Sequence, residues 1–272
     1  MPQLDIIKHS YKPQTAESLK KGFKKIGLKA GMNLIVHSSL SSIGWVCGGA
    51  QSFIKALMDI ITWNGTLIMP TQSPSLSDPS DWISPSIPKE WWNEIRSNMP
   101  VFDSKITPTE FMGIVPEIFR SFPNVERSYH PTHSFGIWGE KGRAWSLNHP
   151  LEESLSEFSP LGHLYANEGH ILLIGVNHDS NTSLHLSETK IYNFPKKICG
   201  SPILKQGKRV WEKYYDYEYD SSDFNQIGDA FEKDFSIKTH LIGNARAKLI
   251  PMKKIVDFGE DWILENRNLH QI

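Results

Sequence analysis

The run Ile171–Val176 (ILLIGV) is the feature that most constrains this chain. It is apolar from end to end and does not alternate with polar residues, so it predicts a central strand buried on both faces. Strands of that kind belong to parallel sheets with helices on either side. Two shorter segments fit the same plan, Leu34–Val36 just after Gly31 and Thr66–Met69 just before Pro70. Between them Gly49–Ile61 places Phe53, Leu57, Ile60 and Ile61 at helical spacing. Strand, helix and strand make a βαβ unit, for which a right-handed crossover is expected.

Other segments extend the pattern. Thr15–Ile26 predicts a helix with Leu19, Phe23 and Ile26 on one face and Gly27 as its stop. Thr15 suits the N-cap, and Ser18 three residues on completes only half a capping box. Glu110–Ser121, Asn181–Tyr192, Asp223–Phe235 and Gly259–Arg267 predict helices; Ser134–Trp138, Ala247–Ile250 and Lys254–Phe258 predict strands. Pro70–Pro108, rich in Pro and Trp, reads as a long functional loop. Ile203–Tyr219 alternates around Gly207 and reads as a hairpin. The expected fold is a single mixed α/β domain over 1–272, with a central, largely parallel sheet and an antiparallel insertion at about 202–222.

Charge and composition then remove whole classes of function. Lys plus Arg is 29 against 30 Asp plus Glu, which argues against a nucleic-acid partner. No apolar run approaches the ~18 residues of a membrane span, and the opening MPQLDIIKHSYK lacks a signal peptide's apolar stretch. Cys47 and Cys199 are too few for a disulfide framework or a Cys-rich zinc site. The expectation is a cytoplasmic enzyme without a membrane partner.

Three clusters carry chemistry. His37-Ser38-Ser39-Leu40-Ser41-Ser42-Ile43-Gly44 follows a buried strand, where amides and hydroxyls gather around anions. It fits a phosphate site or an ordinary Ser-rich turn; it is neither a Walker A loop nor GxGxxG. His185 and Glu188 stand three apart after the ILLIGV strand. On a helix they share a face, and a carboxylate beside an imidazole makes a general base; a surface pair has the same spacing. His130 and His133 flank Pro131 and fit pocket-lining or structural roles. With His178 and His185 they would be the ligands of a metal-dependent amidohydrolase, but one HxxE pair supplies only half a di-metal site, and no metal is expected. No G-x-S-x-G elbow is present, and Cys47 fits inert packing better than a nucleophile.

Six blocks in order resemble the aminoglycoside 3-N-acetyltransferase family, the antibiotic N-acetyltransferases that lack the GNAT fold. They are Leu34–Ala50 (LIVHSSLSSIGWVCGGA), Gly65–Ser73 (GTLIMPTQS), Phe111–Arg120 (FMGIVPEIFR), Arg127–Gly139 (RSYHPTHSFGIWG), Ser159–Tyr165 (SPLGHLY) and Ile171–Glu188 (ILLIGVNHDSNTSLHLSE). The resemblance implies acetyl transfer from acetyl-CoA to the 3-amino group of a 2-deoxystreptamine aminoglycoside, or to a related polyamine-like molecule. It implies catalytic roles for His185 and Glu188. It implies CoA contacts from His37, Ser38, Ser39, Leu40, Ser42, Ile43 and Gly44, with Ser73, Ser80, Phe102, Thr107 and Phe111. A polycationic acceptor should meet carboxylates, for which Asp78, Asp81, Glu152 and Asp179 are candidates, while Lys or Arg should help to hold the anionic cofactor. A monomer or homodimer is expected.

Overall fold

The computed structural model describes residues 3–268. Nine strands occur among them. They are β1 (Asn33–Ser38), β2 (Thr66–Pro70), β3 (Val125–Arg127), β4 (Phe135–Gly139), β5 (His170–Ile174), β6 (Lys196–Lys205), β7 (Lys208–Tyr217), β8 (Lys238–Ile242) and β9 (Ala245–Pro251). Seven form one sheet in the order β3-β4-β2-β1-β5-β9-β8, while β6 and β7 pair only with each other. The expected parallel arrangement occupies the centre, where β1 pairs in parallel with β2 and with β5. The outer strands pair antiparallel on both sides, so the sheet as a whole is mixed.

The sheet is covered on both faces because the side chains of its central strands alternate. Leu34 and Val36 of β1, Leu67 and Met69 of β2, and Leu172 and Ile174 of β5 enter one core. They meet α1 (Ala16–Ile26) and α2 (Gly49–Ile61). Ile35, Ile68, Ile171 and Leu173 enter a second core on the opposite face. That face is closed by α3 (Pro160–Ala166), α4 (His185–Lys190), α5 (Phe224–Asp234) and α6 (Met252–Asn266). A period of two with both sets fully buried is what an uninterrupted apolar run encodes.

Several boundaries differ from the sequence reading, each for a visible reason. The capping box of α1 is complete: Ser18 N–H donates to Thr15 Oγ1 at 3.2 Å, and Thr15 N–H donates to Ser18 Oγ at 2.9 Å. The serine hydroxyl does what Glu usually does. The helix expected over Glu110–Ser121 shrinks to Ile114–Phe119, because Phe111 (φ 60°) and Gly113 (φ 80°) hold left-handed backbone. Lys254–Phe258 is helical rather than extended: Met252, Ile255, Val256, Gly259 and Ile263 bury one face of α6 at three- and four-residue intervals. Asn181–Tyr192 begins as a 3-10 turn, Thr182–Leu184, and becomes α-helical only at His185. The hairpin starts at Lys196, ahead of the segment whose alternation announced it. β8 escaped notice because only Ile242 in it is buried.

Pro70–Pro108 is ordered by a small core of its own, in which Leu76, Met99 and Phe102 pack with Trp82, Ile95 and Trp211. Arg96 grips Asp78 through Nη2 at 2.6 Å and Nε at 3.0 Å, and Arg209 of β7 donates to the Met99 carbonyl at 2.8 Å. These bonds tie the loop to the hairpin.

Candidate active site

The C-terminal ends of β1, β2 and β5 point the same way, and a cavity of about 730 Å³ opens over them. That volume falls in the range of small-molecule and cofactor sites, and strand ends of an α/β sheet are where such sites form. Its wall carries His37, Ser38, Ser39 and Leu40 from the end of β1, Pro70 and Gln72 from β2, and Val176 and Asp179 from β5. Gly175 makes this convergence possible. Its φ is 64°, and a Cβ there would lie 2.5 Å from Ser42 Cβ. Only glycine lets the serine turn lie against the end of β5. Ser39 N–H donates to the Ile174 carbonyl at 2.9 Å, and Ser42 Oγ donates to Ser39 Oγ at 2.8 Å.

His185 faces the same cavity from the first turn of α4. Its Nδ1 lies 2.6 Å from Glu188 Oε2. Glu188 is fully buried, and its other oxygen accepts from Arg267 Nη1 at 2.5 Å and from Asp220 N–H at 3.1 Å. A buried carboxylate with those donors is an acceptor, so His185 donates from Nδ1, and in the neutral ring the lone pair is on Nε2. The imidazole is held between Tyr219 (5.1 Å between centroids) and Phe224 (4.7 Å). Arg267 also forks Asp223 at 2.5 and 2.7 Å. Burial pulls the Arg267 pKa down, but its bonds to Asp223 and Glu188 outweigh this and hold it above the ordinary value.

The structure sorts the expected cofactor contacts into two groups. His37, Ser38, Ser39, Leu40, Gly44 and Phe111 line the cavity. Phe111 does so with 89% of its surface exposed. Ile43 is in the core, and Ser42 lines a smaller adjoining depression. Ser73, Phe102 and Thr107 instead surround Arg127. Its Nη2 donates to Ser73 Oγ at 3.0 Å, its Nη1 to the Thr107 carbonyl at 2.5 Å, and its guanidinium lies 4.7 Å from the Phe102 ring centre. Ser80 donates to Asp78 at 2.7 Å in the Pro/Trp loop, outside the cavity wall. No Lys or Arg lines the cavity among the described residues, against the expectation of nearby cations.

Of the four carboxylates expected around an acceptor, Asp179 lines the cavity and the others do not. Asp78 is spent on Arg96: burial raises its pKa, but the bonds from Arg96 and Ser80 outweigh it and leave it below the usual range. Asp81 and Glu152 are exposed and lie outside the cavity wall.

The remaining histidines separate. His178 pairs with Glu232 at 2.8 Å beneath α5, where a Cβ on Gly228 would sit 2.1 Å from its ring. His130 stacks between His133 (5.4 Å) and His149 (4.9 Å). His130, His133 and Asp216 are the one group among the described residues whose ligand atoms lie within 4.8 Å of one another. The donor atoms of His130 and Asp216 are already engaged. His130 Nδ1 accepts from the N–H groups of Thr132 (3.2 Å) and His133 (2.8 Å). Asp216 accepts from Ser154 N–H and Oγ, Tyr217 N–H and Tyr219 Oη at 2.6 to 3.1 Å. The set fits a structural hydrogen-bond network better than a metal centre.

Sequence reasoning missed Arg267, Asp220, Tyr219 and Phe224, the groups that hold the dyad. Arg267 lies 79 residues from Glu188, and no local spacing pairs them.

An α/β protein with a mixed sheet, and an imidazole–carboxylate pair facing a cavity at the parallel strand ends, has the parts of an acid–base enzyme. The comparisons name the family. Residues 35–264 match the profile described as Aminoglycoside 3-N-acetyltransferase. The SPbeta prophage-derived aminoglycoside N(3')-acetyltransferase-like protein YokD of Bacillus subtilis (strain 168) is 45% identical over 265 residues, 96% of each chain. Aminoglycoside N(3)-acetyltransferase IX of Micromonospora chalcea is 31% identical, over 83% of this chain and 80% of its own. The crystal structure of YokD superposes with a TM-score of 0.95 at 44% identity, covering 97% of this chain and 98% of that one. The structure of AAC-IIIb with CoASH superposes at 0.83 with 25% identity, covering 93% and 97%. A variant of AAC(3)-IVa in complex with a gentamicin superposes at 0.79 with 26% identity, covering 95% and 91%. This chain belongs to the aminoglycoside 3-N-acetyltransferase family, a family of acyltransferases. No helix among the described residues is long and apolar enough to cross a membrane.

Proposed function

We propose that this chain transfers the acetyl group of acetyl-CoA to the 3-amino group of a 2-deoxystreptamine aminoglycoside, by direct attack in a ternary complex. The observation that carries the proposal is His185, oriented through Nδ1 by buried Glu188 and facing the cavity at the strand ends. The family membership and the CoASH and gentamicin complexes of its structural neighbours support the choice of substrates.

An ammonium is not a nucleophile, so a proton must leave before the amine attacks. His185 Nε2 takes that proton, and Glu188 stabilises the imidazolium as it forms. Arg267 and Asp220 N–H hold Glu188 still, so its charge is already aimed. Acetyl-CoA supplies the thioester carbonyl; as the tetrahedral intermediate collapses, the attacking nitrogen releases its second proton to solvent and His185 returns the first to the departing sulfur. The hydroxyls of Ser38 and Ser39 at the cavity wall are the donors we assign to the developing oxyanion, since Ser39 N–H is taken by Ile174. Leu40, Val46, Met112 and Ile114 give the same cavity an apolar wall suited to a pantetheine arm. Holding both substrates in one cavity supplies proximity, and no covalent enzyme intermediate is needed. The reaction needs no metal. The enzyme acts in the cytoplasm, where acetyl-CoA is available, as a monomer or homodimer without a nucleic-acid or membrane partner.

A second reading is a CoA-binding relative that acts on another amine or on none. It is favoured by one observation, that only Asp179 of the expected acceptor carboxylates lines the cavity. Free-thiol release from acetyl-CoA against a panel of aminoglycosides and simpler amines tests both. We expect thiol release with gentamicin and a matching mass increase of one acetyl group. Saturable CoA binding with no thiol released by any aminoglycoside supports the second reading.

A further inference from the structure

Three neutral imidazoles stack beside the site, and their hydrogen bonds fix where each proton lies. His149 Nε2 lies 2.6 Å from the Ser154 carbonyl, which only accepts, so His149 donates there and its Nδ1 accepts from Ser128 Oγ at 2.9 Å. His130 Nδ1 accepts from two backbone N–H groups, so its proton is on Nε2, facing the Leu151 carbonyl at 3.3 Å. His133 is the opposite tautomer. Ser154 Oγ gives its one proton to Asp216 Oδ2 at 2.6 Å, so it accepts from His133 Nδ1 at 2.7 Å. Asp216, 2% exposed, cannot swing away, because Ser154 N–H, Tyr217 N–H and Tyr219 Oη all donate to it.

The chain Asp216–Ser154–His133 therefore ends in an Nε2 lone pair. Among the described residues it is the one nitrogen of the three stacked rings without a hydrogen-bond partner. The His133 side chain keeps 28% of its surface exposed. It shares the Tyr219 ring with His185, at 5.7 Å and 5.1 Å between centroids, and stands just outside the wall of the cavity that His185 lines. Burial pushes its pKa down to about 4 against the opposing pull of Asp216, with a further push from His185, so it is neutral at neutral pH. A fixed, neutral acceptor one aromatic ring away from a general base is matched to a second N–H donor on the molecule whose amine that base deprotonates. A 2-deoxystreptamine ring carries two amines.

We propose that His133 Nε2 accepts a hydrogen bond from a second ammonium of the acceptor, and so makes the site select for a diamine. This rests on the transferase reading above. His133 is a recognition residue and takes no part in the proton transfer at His185.

The test compares wild type, His133→Leu and His133→Gln with gentamicin and acetyl-CoA. A hydrogen bond to a charged donor predicts an acceptor KM at least about tenfold higher in His133→Leu. The acetyl-CoA KM and kcat should stay within about threefold by the same argument, because Nε2 touches neither the thioester nor the transferred proton. His133→Gln, whose amide oxygen replaces the lone pair, should recover most of the loss. Equal acceptor KM in all three proteins overturns the proposal, and so do acceptor and acetyl-CoA KM values that rise together, the sign of a structural effect. If wild type releases no thiol with gentamicin, the transferase reading fails separately. Calorimetric binding of gentamicin then decides this one: weaker binding to His133→Leu supports it, and equal binding or none by wild type overturns it.

Discussion

Arg267 and Glu188, 79 residues apart, are joined by a hydrogen bond of 2.5 Å from Nη1 to Oε1. The same guanidinium grips Asp223 and the Asp220 carbonyl, so one side chain just beyond α6 stitches the 220–223 segment to the dyad. Replacing it by Met strands two carboxylates, one of them fully buried. Removing one member of such a network costs roughly 3 kcal/mol of stability, which urea unfolding will read. Loss of alignment at Glu188 should also cost roughly a hundredfold in kcat. Lys at 267 should rescue only part of this, because an ammonium does not fork two carboxylates.

Gly175→Ala should damage cofactor binding before chemistry. The backbone at φ 64° costs an L-residue about 1 kcal/mol or more, and the new Cβ would meet Ser42 Cβ at 2.5 Å. The expected outcome is a higher acetyl-CoA KM and an earlier urea midpoint, with the gentamicin KM less affected.

Acid should destabilise the fold through the histidine stack. Burial is the main cause that pushes His133 and His149 down to about 4, with neighbouring imidazoles contributing; burial also pushes His130 well below its ordinary value. In the unfolded chain these groups titrate near about 6.5. Between the two values the unfolded state binds protons that the folded state refuses, so stability rises with pH across that window. It is fully present above about 6.5 and is lost as pH falls toward about 4. Urea midpoints measured from pH 7 to pH 4.5 should fall steadily. They should fall less steeply in His149→Gln, whose amide can still bridge Ser128 and Ser154.

Thr15→Ala serves as a control at a residue outside the cavity wall. Losing the cap should lower stability by about 1 kcal/mol and leave both KM values unchanged.

Uniform apolar runs were the most legible part of the fold. ILLIGV, Leu34–Val36 and Thr66–Met69 announce β5, β1 and β2, because strands buried on both faces leave nothing polar to blur the signal. Edge strands were not legible: β3 is only three residues long with exposed Glu126 at its centre, β8 exposes three of its five residues, and both read as loop. α6 was misread in part because Lys254–Phe258 contains too few residues to separate a period of two from one of 3.6. In the site, the His185–Glu188 pair was visible from its spacing and its place after the central strand. The groups that hold it were not, since Arg267 and Asp220 arrive through the fold alone. Ser73, Phe102 and Thr107 came from family resemblance, and here they pack on Arg127 instead of the cavity wall. The acceptor acids were chosen by local density, which says nothing about partners; Asp78 is bound to Arg96.

Thiol release by His185→Gln, measured beside its CoA affinity, tests the central claim most directly. The substitution removes a base from the cavity wall while keeping a side chain that hydrogen bonds to Glu188. The account predicts CoA affinity within about twofold of wild type and a loss of roughly a hundredfold to ten-thousandfold in kcat. Turnover within about threefold of wild type would contradict the assignment of His185 as the base.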